Sequence, residues 1–423
     1  MSKIAVIGTG YVGLTTGACF AHIGHDVICA DIDEDKVARL SRGEVPILEA
    51  GLDNLVKEGI DGGRLKFVVG AAAAVEDCEF AYLCVPTPQG LDGSADLSHI
   101  EAAARDIGPL LPSEAVVVNK STVPVGSTRV VERALGRSDV GVVSNPEFLR
   151  EGSAIHDFLN PARIVIGAED QAAAVRVASL YIGITAPVIV TDPASAETIK
   201  YAANAFLATK ISFINAVAAV CEAVGADIKD VALGMGYDSR IGHEFLRPGP
   251  GWGGSCFPKD TRAMVRIAED AGYDFDLLKG VVAVNEEQLS RVAEKVVDLC
   301  GGSVEGTRVG AWGLTFKART DDLRESPSLA VLARLRSRGA IIRAFDPAVH
   351  GPLDGIEVVG DPYAAVEDAE VLVVLTEWDE FRWLDLDKVA ELMAARKVVD
   401  ARNLLDRPAL TRRGFEYRSI GRS

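Results

Sequence analysis

The chain has 423 residues, of which 48% are hydrophobic and 25% are charged, and it carries a formal net charge of −17. This length predicts two or three domains, and this composition is typical of a soluble globular protein. The acidic charge argues against a nucleic-acid partner because it would repel phosphates at long range, although a phosphorylated small molecule needs only local donors.

The first predicted strand, "KIAVI" at residues 3–7, leads into the motif "GTGYVG" and then into an apolar helix. No signal-peptide architecture precedes this strand, so we expect a cytoplasmic protein. A second strand, "DVICA", is followed by Asp31, roughly 20 residues after the motif. A G-x-G-x-x-G motif between a strand and a helix, with an acid at this spacing, is typical of a dinucleotide-binding fold.

Each glycine of this motif has a physical role in binding a dinucleotide. Gly8 permits the tight turn, Gly10 lets a pyrophosphate approach the backbone, and Gly13 lets helix and strand pack closely. The amino terminus of the helix offers N–H groups and the positive end of its dipole to the phosphates. We also assign Tyr11 and Val12, within the same turn, to the cofactor site.

Asp31 indicates which dinucleotide binds. Its carboxylate would accept hydrogen bonds from the adenosine ribose and repel a 2′-phosphate, which favours NAD over NADP. Lys36 and Arg39 follow on the next helix, and their positive charges could weaken that preference. We include Lys36 among the cofactor-binding residues.

The alternation of strands and helices continues through the first half of the chain. The predicted strands are "FAYLCV" (80–85), "AVVVNKST" (115–122), "VGVVSNPEF" (140–148), "ARIVIG" and "APVIVT" (186–191). Ligands bind at the carboxyl ends of parallel strands, so Pro86, Thr87 and Thr122 are candidates for cofactor contact, with Ser121 beside them. A single Thr-Pro pair is more often ordinary turn chemistry.

A long helix is predicted from Asp192-Pro193 onward, because this pair supplies a cap and a first-turn proline. It extends for about thirty residues, or ~45 Å at 1.5 Å per residue. Lys200 and Asn204 are four residues apart and share one face. The pattern leaves open whether they form a solvated stripe or part of a site. The chain has no run of eighteen apolar residues, so we expect no membrane span.

The last part of the chain repeats the strand and helix alternation. Its predicted strands lie in "TRVGAWGLTFK" (307–317), "AIIRAFDP", "AEVLVVLTEW" and "RKVVDARN", with helices at "SPSLAVLARLRSRG" and "DLDKVAELMA". It contains no G-x-G-x-x-G motif, so it is interpreted as a second Rossmann-like unit that does not bind a dinucleotide in the standard way.

We therefore predict an α/β protein with two Rossmann-like parallel-sheet domains, joined by a long central helix and a helical middle domain. The expected boundaries are 1–191 for an NAD-binding domain, 192–303 for the central helix and a helical dimerisation domain, and 304–423 for the second Rossmann-like domain.

Cys256 differs from the other cysteines of the chain. It lies in "GPGWGGSCFPKD", a glycine-rich loop just before a predicted helix, with Lys259 close by. A helix amino terminus and a nearby lysine both lower the pKa of a thiol, which favours a catalytic nucleophile over a thiol that happens to lie in a turn. The other cysteines are interpreted as small core residues: Cys19, Cys29, Cys78, Cys84, Cys221 and Cys300.

No metal site is expected. The cysteines are odd in number and show no C-x-x-C pair, which fits a reducing compartment. The histidines form no ligand cluster, and "HIGH" at 22–25 lies where a helix ends, so we interpret it as surface.

An NAD site combined with a nucleophilic cysteine limits the chemistry. Oxidation of an alcohol needs a base and a hydride acceptor but no thiol. A thiol is useful when an aldehyde must be oxidised, because its addition gives a thiohemiacetal whose oxidation product is released by water as an acid.

These residues lie in segments that resemble the UDP-glucose/GDP-mannose dehydrogenases. The resemblance runs through "GTGYVG", "STVPVGST", "SNPEFLREGSA", "NPARIVIG", "IKYAANAFLATKISFIN", "DSRIGHEFLRPGPGWGGSCFPKD", "GLTFKARTDDLRESPS" and "DARNLL", and it covers nearly the whole chain. It implies a four-electron oxidation of a sugar C6 alcohol to a carboxylate with NAD, without release of the aldehyde.

The resemblance also implies catalytic roles. Cys256 would form the thiohemiacetal and then the thioester. Lys200 and Asn204 would hold the oxyanion, and Lys200 with Asp260 would order a water that serves as base. Glu151 would assist hydrolysis of the thioester, and Thr122 would lie near the sugar and the nicotinamide.

The remaining implied contacts are with the cofactor and the UDP-sugar. Further cofactor contacts are expected from Glu151, Lys259 and Arg324, and Arg240 would reach across the interface of a homodimer or higher oligomer. The expected substrate-binding residues are Glu147, Phe148, Leu149, Arg150, Glu151, Lys200, Asn204, Arg240, Phe245, Arg247, Gly249, Trp252, Gly253, Phe316, Lys317 and Arg402. The motif-less Rossmann unit would then bind UDP.

The "FLREGSA" and "GGSCFPKD" segments suit the branch of the family that acts on UDP-glucose. Trp252 stands where the family often has Tyr or Phe, which retains an aromatic ring. The alternatives are the same chemistry on GDP-mannose or a UDP-N-acetylhexosamine, a one-step dehydrogenase of the β-hydroxyacid type, and a non-catalytic sugar-nucleotide sensor.

Overall fold

The structure is a computed structural model that describes residues 1–88, 90 and 95–422. Contacts between residues divide the chain into two compact units. Unit 1 comprises residues 1–203 and 262–271, and unit 2 comprises residues 204–261 and 272–423.

Fourteen strands are present in the described residues. In unit 1 they are β1 (Lys3–Ile7), β2 (Asp26–Asp31), β3 (Leu65–Val69), β4 (Phe80–Leu83), β5 (Val116–Asn119), β6 (Gly141–Ser144), β7 (Ile164–Gly167) and β8 (Val188–Thr191). In unit 2 they are β9 (Arg308–Trp312), β10 (Ile341–Phe345), β11 (Glu357–Val358), β12 (Val371–Val374), β13 (Lys397–Asp400) and β14 (Glu416–Ser419).

The α-helices alternate with these strands in much of the chain, except that α9 to α12 follow one another between β8 and β9. Those of the first half are α1 (Tyr11–His22), α2 (Glu34–Ser41), α3 (Leu52–Asp61), α4 (Ala72–Val75), α5 (Ser98–Ile107), α6 (Ser127–Leu135), α7 (Ala154–Leu159) and α8 (Gln171–Ser179). Those that follow are α9 (Pro193–Val224), α10 (Ile228–Gly236), α11 (Phe257–Asp270), α12 (Asp276–Leu299), α13 (Pro327–Arg336), α14 (Leu386–Leu392) and α15 (Arg407–Arg412).

The sheet of unit 1 has the order β3-β2-β1-β4-β5-β6-β7-β8 among the described residues, and its first six strands are parallel. Alternate residues of β1 enter two different hydrophobic clusters, Ile4 and Val6 one of them and Ala5 and Ile7 the other. Both faces of the sheet are therefore covered, as a parallel sheet requires.

One pair of strands in unit 1 departs from the expected parallel arrangement. β6 and β7 are antiparallel neighbours, paired at Ser144 and Gly167. The segment between them contains only the short helix α7, and an antiparallel neighbour needs no helical crossover. The parallel direction resumes between β7 and β8.

The sheet of unit 2 has the order β11-β10-β9-β12-β13-β14, and all of its described pairs are parallel. Numbered from β9, this is the order 3-2-1-4-5-6 of a dinucleotide-binding sheet. Val309 and Ala311 of β9 enter a cluster that also contains α9 and α12, and Trp312 enters the other. The expectation of two Rossmann-like sheets and a long helix is confirmed.

The helix α9 has 32 residues, close to the predicted length. It is the one helix of the described residues that is long and apolar enough to cross a membrane by length and composition alone. This is weak evidence for a span, since a core helix of a soluble protein passes the same test. Buried Glu197 and Lys200 on this helix bind protein groups, which is the behaviour of a core helix.

Two expectations about individual residues were wrong. His25 is buried rather than on the surface: its ring accepts the Ser2 N–H, and its other nitrogen lies 3.0 Å from the Leu180 carbonyl oxygen. Cys300 is only partly buried, because it follows the last residue of α12. The other five cysteines interpreted as core residues are buried.

Candidate active site

The glycine motif of unit 1 forms a close turn between β1 and α1. Gly8 has φ +96°, and a Cβ there would lie 2.7 Å from the Cys84 carbonyl oxygen. A Cβ on Gly13 would lie 1.9 Å from the Gly8 carbonyl oxygen, so helix and turn pack backbone against backbone. A Cβ on Gly10 would meet no described atom within 4 Å, which leaves that side of the turn open to a ligand.

Asp31, at the end of β2, is held in one orientation by its neighbours. Its Oδ2 accepts the Thr9 N–H at 2.9 Å and a charged hydrogen bond from Lys36 Nζ at 3.0 Å. Burial alone would raise the pKa of Asp31, but the hydrogen bonds from Thr9, Lys36 and Asp33 lower it to about 2. The carboxylate is therefore ionised at neutral pH, and among the described residues its Oδ1 accepts only the longer 3.2 Å bond from the Asp33 N–H.

The residues that follow β4 and β5 bind to one another. The hydroxyl of Thr87 donates to the Thr122 carbonyl oxygen at 2.9 Å, and the hydroxyl of Ser121 donates to the Val85 carbonyl oxygen at 2.7 Å. Thr122 and Pro86, which were predicted from strand ends, are thus brought to one edge of the sheet of unit 1.

Lys200 is not part of a solvated stripe. It is 3% exposed, and its Nζ donates to Glu147 Oε1 at 2.7 Å. Burial would raise the pKa of Glu147, but the charge and hydrogen bond of Lys200 and the Leu149 N–H, with the charge of Lys120, hold it below its ordinary value. The pair is therefore charged, and the ammonium is fixed in a buried position.

The segment after β6 is ordered by the same pair and by arginine contacts. Glu147 Oε2 accepts the Leu149 N–H at 2.6 Å, and the guanidinium of Arg163 lies 3.6 Å from the centre of the Phe148 ring. The Arg150 side chain binds Asp157 at 2.6 Å. Glu151 follows in a turn that Gly152 continues with φ +79°.

In unit 2, Cys256 immediately precedes the first residue of α11. Its carbonyl oxygen accepts the Asp260 N–H at 2.8 Å, and its thiol lies 3.5 Å from the Ser255 hydroxyl. The helix starts at Phe257, directly after Cys256, so the residue that carries the thiol lies at the helix amino terminus, as the sequence predicted. Cys256 is partly buried.

Asp260 binds Asn204, another predicted catalytic residue, and Lys259, a predicted cofactor-binding residue. It is fully buried, and its Oδ2 accepts the Asn204 Nδ2–H at 2.6 Å while its Oδ1 accepts from Lys259 Nζ at 2.8 Å. Asn204 is 7% exposed, so the interpretation as a solvated stripe is excluded for it as well.

The glycine-rich loop at 249–254 is anchored by buried polar side chains. The Gly249 N–H donates to Asn215 Oδ1 at 2.9 Å, and its carbonyl oxygen accepts from Gln288 Nε2 at 2.8 Å. Asn285 binds both the N–H and the carbonyl of Trp252, at 2.8 and 3.1 Å. These side-chain hydrogen bonds to its backbone fix the conformation of the loop.

Two of the predicted nucleotide-binding residues, Phe316 and Arg402, lie beside this loop. The Phe316 ring packs against Gly254, where an added Cβ would lie 2.8 Å from the ring. The Arg402 guanidinium donates to the Phe316 carbonyl oxygen at 3.1 Å and to the Leu375 carbonyl oxygen at 2.7 Å. Lys317 Nζ lies 5.5 Å from the Phe316 ring centre.

Four other predicted residues lie on loops of unit 2. Arg240 is exposed and bound to Asp238 at 2.5 Å, and Arg324 is bound to Asp322 at 2.7 Å. Arg247 is exposed. Phe245 has φ +63°, and its ring centre lies 6.3 Å from that of Phe257.

The sequence did not predict the residues that hold these groups in place. Ser212 and Asn215 are polar residues in an otherwise apolar stretch of α9, the same signal that singled out Lys200 and Asn204. Asn285 and Gln288 of α12 belong to the polar run "NEEQ" and carry no such signal. Ser212 accepts the indole N–H of Trp252 at 2.9 Å. Glu49, a buried carboxylate that accepts the Gly152 N–H, gave no signal of this kind in the sequence because it lies in a loop rather than in a helix.

Comparison with known proteins decides the family. Models of three domains of one family match the chain: the NAD-binding domain at residues 2–185, the central domain at 194–287 and the UDP-binding domain at 310–407. The chain belongs to the UDP-glucose/GDP-mannose dehydrogenase family. The resemblance inferred from its motifs is confirmed.

Individual members of the UDP-glucose/GDP-mannose dehydrogenase family match along nearly their whole length. The UDP-glucose 6-dehydrogenase TuaD of Bacillus subtilis is 47% identical, with 100% of this chain and 94% of that protein covered. A UDP-glucose 6-dehydrogenase of Rhizobium meliloti is 46% identical, with 99% of each covered. A solved UDP-glucose dehydrogenase from Pyrobaculum islandicum is 39% identical, with a TM-score of 0.92 and 100% and 98% of the two chains covered.

This member of the family is an NAD-dependent oxidoreductase. The described residues fit NAD, since the turn is open at Gly10 and Asp31 is ionised and oriented at the end of β2. Among the residues that the structure describes, no group of three or more metal-ligating side chains could hold a metal ion.

Proposed function

We propose that the protein oxidises the C6 alcohol of UDP-glucose to the carboxylate of UDP-glucuronate, with reduction of two NAD per product. The relatives that match along their full length are UDP-glucose 6-dehydrogenases. The observation that carries the chemistry lies within unit 2: the Cys256 thiol precedes a helix amino terminus, and Asn204 is bound to Asp260 in the first turn of that helix.

Cys256 is the nucleophile of the second oxidation. Its thiolate is favoured by the positive end of the α11 dipole. After the alcohol is oxidised to the aldehyde, the sulfur adds to the carbonyl carbon and forms a C–S bond with an adjacent oxyanion. Oxidation at the same carbon gives a thioester, and attack by water breaks the C–S bond, which releases the carboxylate and restores the thiol. When bound, NAD supplies the hydride acceptor for each oxidation.

The oxyanion is stabilised by Lys200 and Asn204. A fixed ammonium and a side-chain amide are suitable donors for a developing alkoxide, because they need no reorganisation when charge appears. Lys200 is fixed by Glu147, and Asn204 is oriented by Asp260. In this proposal Lys200 and Asp260 order a water that acts as base, Glu151 assists thioester hydrolysis, and Thr122 contacts the sugar and the nicotinamide.

The UDP-sugar is bound by the anchored loop and its neighbours. The loop at 249–253, Phe316 and Arg402 offer backbone donors, an aromatic face and a guanidinium within one unit. Lys317, Phe245, Arg247 and the backbone of Phe148 and Leu149 complete the proposed set, with Arg324 and Lys259 on the cofactor.

A substrate panel tests this function. Purified protein with NAD is offered UDP-glucose, GDP-mannose and UDP-N-acetylglucosamine, and both NADH and the acid product are measured. We expect UDP-glucose to be oxidised with the highest kcat/KM and with two NADH per product. A preference for GDP-mannose or UDP-N-acetylglucosamine would support the same reaction on a different sugar nucleotide.

The same measurement separates the two rival functions. One NADH per product would support a one-step dehydrogenase, which has no use for Cys256. Binding of UDP-glucose without NADH formation would support a sugar-nucleotide sensor. The presence of the thiol together with its Asn204 and Asp260 partners argues against a sensor.

We also propose that the protein is a homodimer or a higher homo-oligomer. Large apolar side chains are exposed along one side of α9 at Phe206, Phe213, Val220 and Val224 and on α10 at Leu233. An apolar surface of this extent is typical of an interface. Phe213→Glu is expected to give a monomer in analytical ultracentrifugation, whereas an unchanged mass would exclude this face.

A cytoplasmic location is consistent with the proposed chemistry. The mechanism requires Cys256 as a reduced thiol, and the other six cysteines are free thiols in the structure. The cytoplasm keeps thiols reduced, so the nucleophile would remain available there.

A further inference from the structure

Glu49 is a buried carboxylate without an assigned role. It lies in the loop between α2 and α3 and is 6% exposed. Its Oε2 accepts the Gly152 N–H at 2.7 Å, and its Oε1 accepts the Ala154 N–H at 2.8 Å. The hydroxyl of Tyr11 also donates to Oε2. All four residues belong to unit 1.

The contacts of Glu49 are directed hydrogen bonds rather than nonspecific packing in the core. A carboxylate removed from water is costly unless its oxygens are bound, and here both oxygens accept hydrogen bonds. Burial raises the pKa of Tyr11 well above its ordinary value, and the hydrogen bond and charge of Glu49 raise it further. The tyrosine therefore remains protonated and acts as a donor.

Each donor lies in a segment that the proposed function uses. Gly152 directly follows Glu151, and Tyr11 is the first residue of α1 in the glycine motif. The Arg150 N–H on the other side of Glu151 is accepted by Asp157 Oδ2 at 2.9 Å. The two residues that flank Glu151 are thus held by two separate carboxylates, and one of these also binds the nucleotide turn.

We propose that Glu49 is a positioning residue that fixes the turn carrying Glu151 and couples it to the nucleotide-binding turn at Tyr11. This inference rests on the proposed function, because it concerns the step in which Glu151 assists attack of water on the thioester. Loss of the Glu49 carboxylate leaves the thiol and the oxyanion donors intact but lets Glu151 shift, and shifts of this kind are costly in rate.

The direct test replaces Glu49 by Gln and compares it with a surface glutamate nearby. The Gly152 and Ala154 N–H groups bind different oxygens of Glu49, so in Gln the NH₂ group would face one of these two donors and leave it without an acceptor. The matched control is Glu44→Gln, since Glu44 is exposed and bound to Arg42. Glu49→Asp, which keeps the charge, is the conservative variant.

In Glu49→Gln we expect kcat to fall about 10- to 100-fold, KM for NAD to rise roughly threefold or more, and KM for UDP-glucose to change less than about twofold. Rapid mixing should show a burst of NADH close to the wild-type rate, followed by slow turnover, since hydrolysis is the step affected. Glu49→Asp should recover part of kcat, and Glu44→Gln should match the wild type.

Tyr11→Phe is a milder second variant, in case Glu49→Gln does not fold. It removes one hydroxyl donor and leaves Gly152 and Ala154 bound to Glu49. We expect a higher KM for NAD with a smaller change in kcat. If Tyr11→Phe and any folded Glu49 variant behave as Glu44→Gln does, or lose only thermal stability, the positioning role is overturned.

The test separates this inference from the proposed function. If wild-type protein gives two NADH per UDP-glucuronate and the Glu49 variants show no burst or shift in KM, only the inference fails. If the wild type does not oxidise UDP-glucose in this ratio, the proposed function fails and the inference fails with it.

Discussion

Asn204 donates its side-chain N–H to Asp260 Oδ2 at 2.6 Å, and both side chains are buried. This bond uses one of the two amide hydrogens of Asn204 and sets the direction of the other. Lys259 binds the second oxygen of the same carboxylate at 2.8 Å, so both oxygens of Asp260 are held in place. The second amide hydrogen is thereby available as an oriented donor.

Replacing Asn204 by Ala should affect both catalysis and stability. Loss of an oxyanion donor is expected to reduce kcat about 10²- to 10³-fold. Asp260 would lose a buried partner, which costs about 1–3 kcal/mol and lowers the melting temperature. Steady-state kinetics and thermal unfolding measure these effects, with Asn54→Ala on the exposed side of α3 as the control. A wild-type kcat in Asn204→Ala would remove Asn204 from the oxyanion site.

Cys256→Ser should bind both ligands and fail to turn over. A serine hydroxyl is not ionised at neutral pH and is a poor nucleophile for the aldehyde, so kcat is expected to fall by about 10³-fold or more. Calorimetric titration with NAD and with UDP-glucose should give dissociation constants close to those of the wild type. Cys300→Ser, at the end of α12, is the control. Full activity in Cys256→Ser would refute the thioester mechanism.

Asp31→Ala should weaken NAD binding far more than UDP-glucose binding. The expected loss for NAD is about 10- to 100-fold, since hydrogen bonds to a charged group contribute roughly 1.5–3 kcal/mol. Asp35→Ala is the control, because Asp35 is exposed on α2, the helix that follows β2, and this change should alter neither dissociation constant. Equal losses for both ligands in Asp31→Ala would mean that the adenosine ribose binds elsewhere.

Asp31 should also make stability depend on pH in the acid range. Its pKa is about 2 in the folded protein, against an ordinary value of 3.8, so the folded state favours the ionised form. The carboxylate therefore contributes about 2 kcal/mol above pH ~4, and this contribution is lost as the pH falls towards 2. Urea unfolding of wild type and Asp31→Asn should show a difference in midpoint at pH 7 that narrows at pH 3. A constant difference would contradict the assigned pKa.

Much of the fold could be predicted because its signals are local. The apolar runs of β1, β4, β5 and β12 and the Asp192-Pro193 start of α9 were recognisable from composition and capping alone. The antiparallel pairing of β6 with β7 was not, because strand order depends on contacts between segments distant in the sequence. His25 was misjudged for the same reason, since its partner Leu180 is 155 residues away.

Those parts of the candidate site that neighbouring residues identify could be predicted from the sequence. The Cys256 segment and the glycine motif are two such parts. The environment of Lys200 and Asn204 does not follow from the sequence, because a spacing of four residues on a helix does not indicate whether that face contacts solvent or protein. Their burial in the folded chain resolved the question.

The sequence by itself determined the chemical groups that this protein has available: a nucleotide turn, an acid at the end of β2 and a thiol before a helix. Each of these groups is recognised from residues close to it in the sequence, and local propensity and sterics set the backbone geometry of such short segments. Only the tertiary structure decided which partners hold the functional groups in place. Glu147 binds Lys200, and Glu49 binds the turn that carries Glu151. Glu49 and Gly152 are 103 residues apart, and a hydrogen bond between such residues forms only when packing brings them together.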